Sequence, residues 1–221
     1  MSGFESVSLV FEKLNESVPY LVLRNFESFY DSVLSDEHAD IDLLCYKKDR
    51  KRIVKLLNAR PRFDKDDGIH YYFVAENFKI PLDIRFTGDG YYDKNWENAM
   101  LGERIKDSKG FYRMDTENYF WSLLYHALYH KGDLSKEYEE RLKSMDPTLF
   151  PCTKDDLDEA LNGYLRSHKY RCTISKDKYL WYHFSDRCKG NIHAYPMYRI
   201  KRAFINCGKK FFRIFKHKRG R

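Results

Sequence analysis

Apolar residues recur at helical spacing near the start of the chain, where Val7, Val10, Phe11 and Leu14 share a face. They then crowd together in YLVLRNF (20–26), which reads as a buried strand. A second compact run, ADIDLLCY (39–46), precedes Asp49, a candidate N-cap, and Ile53, Val54, Leu56 and Leu57 follow on one helical face. HYYFVAE (70–76) and KIPLDIRF (79–86) flank a Glu76-Asn77 turn that suits a hairpin. The succession predicts an α/β domain with a small mixed β-sheet from Phe4 to about Thr87.

Farther on the pattern turns helical. Asp115 caps a predicted helix with Phe120, Leu123, Leu124, Ala127 and Leu128 on one face, ending at Lys131-Gly132. A second helix is expected over Ser135 to Met145, and Thr153 with Asp156 forms a capping-box pattern for a third, to about Ser167. Residues 169–196 are rich in aromatics without an assignable period, and no internal repeat is visible. The expected fold class is α/β, with helices flanking the small mixed sheet and a mostly helical C-terminal region behind it. The expected divisions are an α/β core at 1–112, a helical region at 113–197 and a basic amphipathic tail at 198–221.

Composition narrows the class. With 221 residues, 43% hydrophobic, only 11 Gly and 6 Pro, the chain has enough apolar surface for a core and no low-complexity linker. No apolar run approaches the roughly 18 residues of a membrane-spanning helix. The first residues lack the basic start and apolar centre of a secretory signal, so a cytoplasmic location is expected. Five scattered cysteines fit neither a disulfide framework nor a CxxC metal site, and reduced thiols are expected. Charge is uneven: ten of the 40 Lys and Arg residues lie in 198–221 beside no acid, leaving 30 against 33 acidic residues upstream.

The candidate chemistry lies in the acids. Asp40 and Asp42 are two apart on a predicted strand, so both leave one face while Ile41 and Leu43 enter the core. In KIPLDIRF the alternation sends Leu82, Ile84 and Phe86 one way and Asp83 and Arg85 the other. Three carboxylates on adjacent strands suit a site for divalent cations, because unpaired acids at that distance repel one another and a cation relieves the repulsion. An edge of ordinary solvent-facing acids is the plainer alternative.

The strings LVLRNFE, DIDLLC, PLDIRF and LLYHALYHKG together resemble the nucleotidyltransferase superfamily related to DNA polymerase beta, in particular small members linked with surface polysaccharide genes. The resemblance covers about Tyr20 to Gly132. It implies that Asp40, Asp42 and Asp83 bind Mg²⁺ or Mn²⁺ and that Asp83 helps deprotonate an acceptor hydroxyl. A nucleotide or nucleotide-sugar donor and a sugar, polyol or glycan acceptor follow from the same likeness.

One departure concerns the donor. Where the superfamily places a Gly-Ser pair, this chain reads Leu23-Arg24-Asn25-Phe26-Glu27-Ser28. Arg24 offers a bidentate phosphate contact and Ser28 a hydroxyl, although Arg24 is equally suited to pair with Asp40 or Asp83. Arg85, His130 and Lys131 are further candidates for substrate phosphate. His126 and His130, four apart on a helix, also suit zinc, but the HExxH glutamate is absent and a structural pair fits the pattern better.

The tail gathers Ile200, Phe204, Cys207, Phe211, Ile214 and Phe215 in one stripe with cations around it, the pattern of an interfacial helix on an anionic membrane. Packing on the protein's own core explains the same stripe. Nucleic acid is a further candidate partner, against which the acidic body argues. These features support a metal-dependent transferase, peripheral on the inner membrane face through its tail. Two rivals stay open: an inactive binding or scaffold domain, and a nucleotide-adding enzyme acting on nucleic acid.

Overall fold

The computed structural model describes residues 3–26, 40–150, 152–173, 175 and 177. Ser28 and the whole 198–221 segment lie outside the described residues, and so does the stretch of the expected helical region beyond 177. Helix α1 (Val7–Ser17) buries Val7, Val10, Phe11 and Leu14, the four residues whose spacing announced it, and Ser6 caps it by accepting from the Leu9 amide. Strand β1 (Tyr20–Val22) is buried throughout, and so is β2 (Ile41–Cys45), because both faces of the sheet are covered. Helix α2 (Arg50–Leu56) packs against α1, with Ile53 and Leu57 wholly inside. Asp49 stands at its N-cap position without a side-chain cap bond.

Short β3 (Arg60–Pro61) leads to β4 (His70–Ala75) and β5 (Phe78–Phe86). Glu76 and Asn77 join the last two strands with φ of 52° and 65°, the left-handed pair that a two-residue hairpin turn requires. Helix α3 (Lys94–Gly102) and strands β6 (Ile105–Lys106) and β7 (Tyr112–Arg113) follow, none of which the periodicity announced. The seven strands form one sheet in the order β3-β4-β5-β2-β1-β7-β6. Pairs β2/β5 and β1/β7 are parallel and the other four antiparallel. The sheet therefore runs on past Thr87, and the expected division at 112/113 falls inside β7.

Behind the sheet, α4 (Thr116–Tyr125) packs against α5 (Lys136–Met145) and α6 (Lys154–Ser167). Asp115, Ser135 and the Thr153–Asp156 capping box open these three helices as the sequence led us to expect. The surprise is the end of α4, which widens into a π-helix over His126–Lys131 before Gly132, at φ 75°, stops it. Residues 122–130 are buried on every side, so the helix is central and not amphipathic. Trp96 of α3 donates to Asn118 of α4 at 2.8 Å and stacks on Tyr170, binding sheet and helices together. Cys45 and Cys152 are free, but Cys172 is disulfide-bonded, which corrects the expectation of uniformly reduced thiols. No helix among the described residues is long and apolar enough to cross a membrane.

A buried carboxyl holds the turn between β5 and α3. Glu97 is fully buried, and its two oxygens accept the amides of Gly88 at 2.7 Å and Tyr92 at 3.2 Å. Burial first, and the neighbouring Asp89 second, push its pKa from 4.5 to about 9, so it carries a proton at neutral pH. Between those two values the folded chain holds a proton that the unfolded chain has released, so stability falls as pH rises. One group contributes at most about 1.4 kcal/mol per pH unit to that slope. Glu97→Gln is expected to flatten the decline in melting temperature from pH 5 to pH 9, measured by circular dichroism, while costing stability at pH 5 through the lost amide contact.

Candidate active site

The strand register places three titratable side chains in one row. Asp42 of β2 is the direct partner of Asp83 of β5, and Asp83 is in turn the partner of His70 of β4. Neighbouring strands lie roughly 4.8 Å apart, and paired residues present their side chains to the same face. His70, Asp83 and Asp42 therefore stand side by side, and all three are buried. Each flanking residue points inward for an ordinary reason, since Ile41, Leu43, Leu82 and Ile84 fill the opposite face of the same strands.

Two like charges in that row need compensation. Arg24, just past β1, donates from Nη2 to Asp42 Oδ2 at 2.7 Å, with both side chains under one-tenth exposed. It thus pairs with Asp42, and not with Asp40 or Asp83 as weighed from the sequence. Arg62 approaches from the segment after β3, its Nη1 3.3 Å from Asp40 Oδ2 and its Nη2 3.5 Å from Asp83 Oδ1. Asp40, at the rim before β2, is turned to that arginine. Burial first and Asp42 second push Asp83 from 3.8 to about 6. Asp83 Oδ1 is buried and lacks a hydrogen-bond partner, as do Arg62 Nε and Nη2.

Around this row the sequence-stated candidates divide. Asp42 and Asp83 are brought together, with Asp40 at their edge. Arg85 lies one rung deeper, where Nη2 meets Asp177 Oδ2 at 2.7 Å and the guanidinium stacks 4.3 Å above the Tyr91 ring; its charge is spent inside the protein. His130 is fully buried against Tyr91, with ring centroids 4.1 Å apart, and burial holds it neutral, so it does not face a substrate phosphate. Lys131 is exposed at the end of the π-helix.

Other members of the site carried no obvious sequence signal. His70 Nδ1 bonds Asp67 Oδ2 at 2.6 Å, which directs Nε2 toward Asp83 and Asp177 at 3.7 and 3.6 Å. Tyr91 accepts from Arg24 at 2.5 Å and donates to His126 Nδ1 at 2.7 Å. The π-helix then brings His126 Nδ1 within 3.3 Å of His130 Nδ1. Burial, reinforced by Arg24, lowers the pKa of His126 and keeps it uncharged, as an Nδ1 that accepts a proton requires. The only signal for His70 was its place at the head of HYYFVAE, in phase with the buried face.

Among the described residues no group of three or more His, Cys, Asp or Glu side chains is arranged to hold a metal ion. The zinc alternative for His126 and His130 accordingly has no third ligand there. The Asp42–Asp83 pair nevertheless fits a hard divalent cation in its donor chemistry: two buried carboxylates, mutual repulsion, and one orphaned oxygen.

The fold and the site together define a mixed α/β protein with a carboxylate pair on adjacent parallel strands. No family model matches the chain, and no curated protein does either. The solution structure of the antibiotic-resistance factor ANT(2'')-Ia is similar over 72% of this chain and 89% of that one, with 16% identity and a TM-score of 0.41. The crystal structure of ANT(2")-Ia in complex with adenylyl-2"-tobramycin matches 72% of this chain and 94% of that one, with 13% identity and a TM-score of 0.42. At these scores neither likeness assigns an activity, and what the site can do follows from its own side chains.

The two acids should respond oppositely to substitution. Asp42→Ala strands a buried arginine and is expected to cost about 3–5 kcal/mol. Asp83→Asn removes a penalised charge and should raise stability at pH 7 by up to about 3 kcal/mol, the equivalent of its two-unit rise. The wild-type penalty is complete above pH 6 and absent below about pH 4, so the gain should vanish as pH falls through that window. Chemical denaturation at pH 4 and pH 7 measures both.

Proposed function

We propose that the chain is a divalent-cation-dependent transferase, moving a nucleotidyl or substituted-phosphate group from a nucleotide or nucleotide-sugar donor to a hydroxyl of a sugar, polyol or glycan acceptor. The observation that carries this reading is the Asp42–Asp83 register pair with its orphaned oxygen. Asp42 and Asp83 would hold Mg²⁺ or Mn²⁺, with Asp40 at the rim able to join them. When bound, the cation would offset charge on the transferred phosphate and orient its oxygens. Asp83, ionised at neutral pH, would stand beside the acceptor hydroxyl and help take its proton. His70, fixed by Asp67, stands with Nε2 3.7 Å from Asp83 Oδ2. Arg24 anchors Asp42, and Lys131, exposed at the end of the π-helix, is kept as a candidate phosphate contact. The basic 198–221 segment would hold the enzyme at an anionic membrane surface on the cytoplasmic face.

A second reading has its own observation. Arg24 already neutralises Asp42 at 2.7 Å, which suits a binding or scaffold domain that has given up catalysis. Metal-dependent nucleotide binding separates the two. Melting temperatures would be compared across nucleotides and nucleotide sugars, with and without Mg²⁺ or Mn²⁺, for the wild type and Asp83→Asn. A ligand at a hundred times its dissociation constant adds about 2.7 kcal/mol, a rise on the order of 5 °C for a chain of this size. We expect such a rise for one nucleotide class, dependent on metal and lost in Asp83→Asn. No rise with any ligand would favour the scaffold.

A further inference from the structure

Arg62 and Asp83 form a loose ion pair. Nη2 and Oδ1 are 3.5 Å apart with no hydrogen bond between them, and both atoms, like Arg62 Nε, are buried without a hydrogen-bond partner. Leaving such groups unsatisfied is costly, so the arrangement is poised for something that completes both sides. A cation alone completes the carboxylate and leaves the guanidinium orphaned. A lone anion does the reverse. A cation joined to a phosphate completes both at once, the metal on Asp83 Oδ1 and the phosphate oxygens on the arginine fork.

The backbone supports such an exchange. The Arg62 amide bonds the His70 carbonyl at 3.0 Å, and Asp66 and Asp67 fix the following turn through the amides of Gly68, Ile69 and His70. The base of the arginine is thus anchored while its long side chain, 28% exposed, sits at the open rim beside Asp40, itself 34% exposed. Arg24 differs in each respect: its guanidinium is buried and held by Asp42 and Tyr91. Of the two arginines at the row, Arg62 is the one with donors to spare and room to move.

We infer that Arg62 is a donor-phosphate clamp, which releases Asp40 and Asp83 when a divalent cation takes those carboxylates and turns its guanidinium to the phosphates that arrive with the metal. The inference rests on the transferase reading above and adds a phosphate-binding residue to it. In this arrangement the arginine and the cation compete for the carboxylates, yet cooperate once phosphate is present.

Titration calorimetry on the full-length chain tests this without turnover, using Mg²⁺ alone and then inorganic tripolyphosphate in the presence of Mg²⁺. Arg62→Ala is expected to bind Mg²⁺ at least threefold more tightly and tripolyphosphate at least tenfold more weakly than the wild type. Arg62→Lys, which keeps the charge without the fork, should recover part of the tripolyphosphate affinity. Tighter Mg²⁺ with unchanged tripolyphosphate would make Arg62 a counter-ion and overturn the clamp. Wild-type affinities for both ligands in Arg62→Ala, with Mg²⁺ binding still lost in Asp83→Asn, would overturn it while leaving the transferase reading standing. No Mg²⁺-dependent binding by the wild type would overturn both.

Discussion

The parallel pairing of β2 with β5 puts Asp42 directly beside Asp83, and much of the surrounding structure answers that juxtaposition. At about 5 Å and an effective dielectric near 20, two such charges repel by roughly 3 kcal/mol. The register cannot slip to relieve this, since a one-residue shift would turn Leu43 and Ile84 out of the core. The acids are therefore held by apolar packing and balanced from the flanks, by Arg24 on one side and Arg62 at the rim. Arg85 on the rung below is already matched by Asp177 and leaves the upper row to its own partners.

That balance reaches deep into the helical half. Arg24 is held by Tyr91, Tyr91 by His126, and His126 lies against His130, so the position of one guanidinium depends on the geometry of the helix behind the sheet. The π-helix over His126–Lys131 has a physical role here. Widening the turn changes the angular spacing of its side chains, and both imidazoles come to meet the same tyrosine. Tyr91 itself sits on a turn whose amides are gathered by protonated Glu97. Tyr91, His126 and His130 carry this network inward as neutral groups.

The legible parts of the fold were those with a local code. The α1 stripe, the Glu76-Asn77 turn and the caps at Asp115 and Thr153–Asp156 are each written within a few neighbouring residues and appeared where their chemistry placed them, whereas Asp49 took its N-cap position without the bond. The acids were legible because alternation in DIDLLC and PLDIRF fixes their face. Their register was not, since strand pairing depends on the whole sheet. Helix α3 hid because it is short and its three large apolar residues, Trp96, Met100 and Leu101, share the buried side with a charged one, Glu97. Strands β6 and β7 are two residues long and carry no period to read. The π-turn was invisible for a different reason: a helix buried on all sides offers no polar face from which a change in pitch shows.

The distinction between a working site and a relic turns on which charges are closed. A buried acid without a task is stabilised most simply by a close partner or by loss of its charge, and Asp42 has the first of these in Arg24. Asp83 has looser contacts, with Arg62 Nη2 3.5 Å from Oδ1 and His70 Nε2 3.7 Å from Oδ2. It keeps an ionisable carboxyl where burial and a like charge penalise it. Asparagine would fill the same space without the repulsion. A carboxyl raised by burial and loosely paired at an open rim is what the ligand-binding reading proposed above requires. The proposed transferase reading therefore rests on the contrast between the close Arg24–Asp42 pair and the looser Arg62–Asp83 pair, since a cation would compete with the second far more easily than with the first.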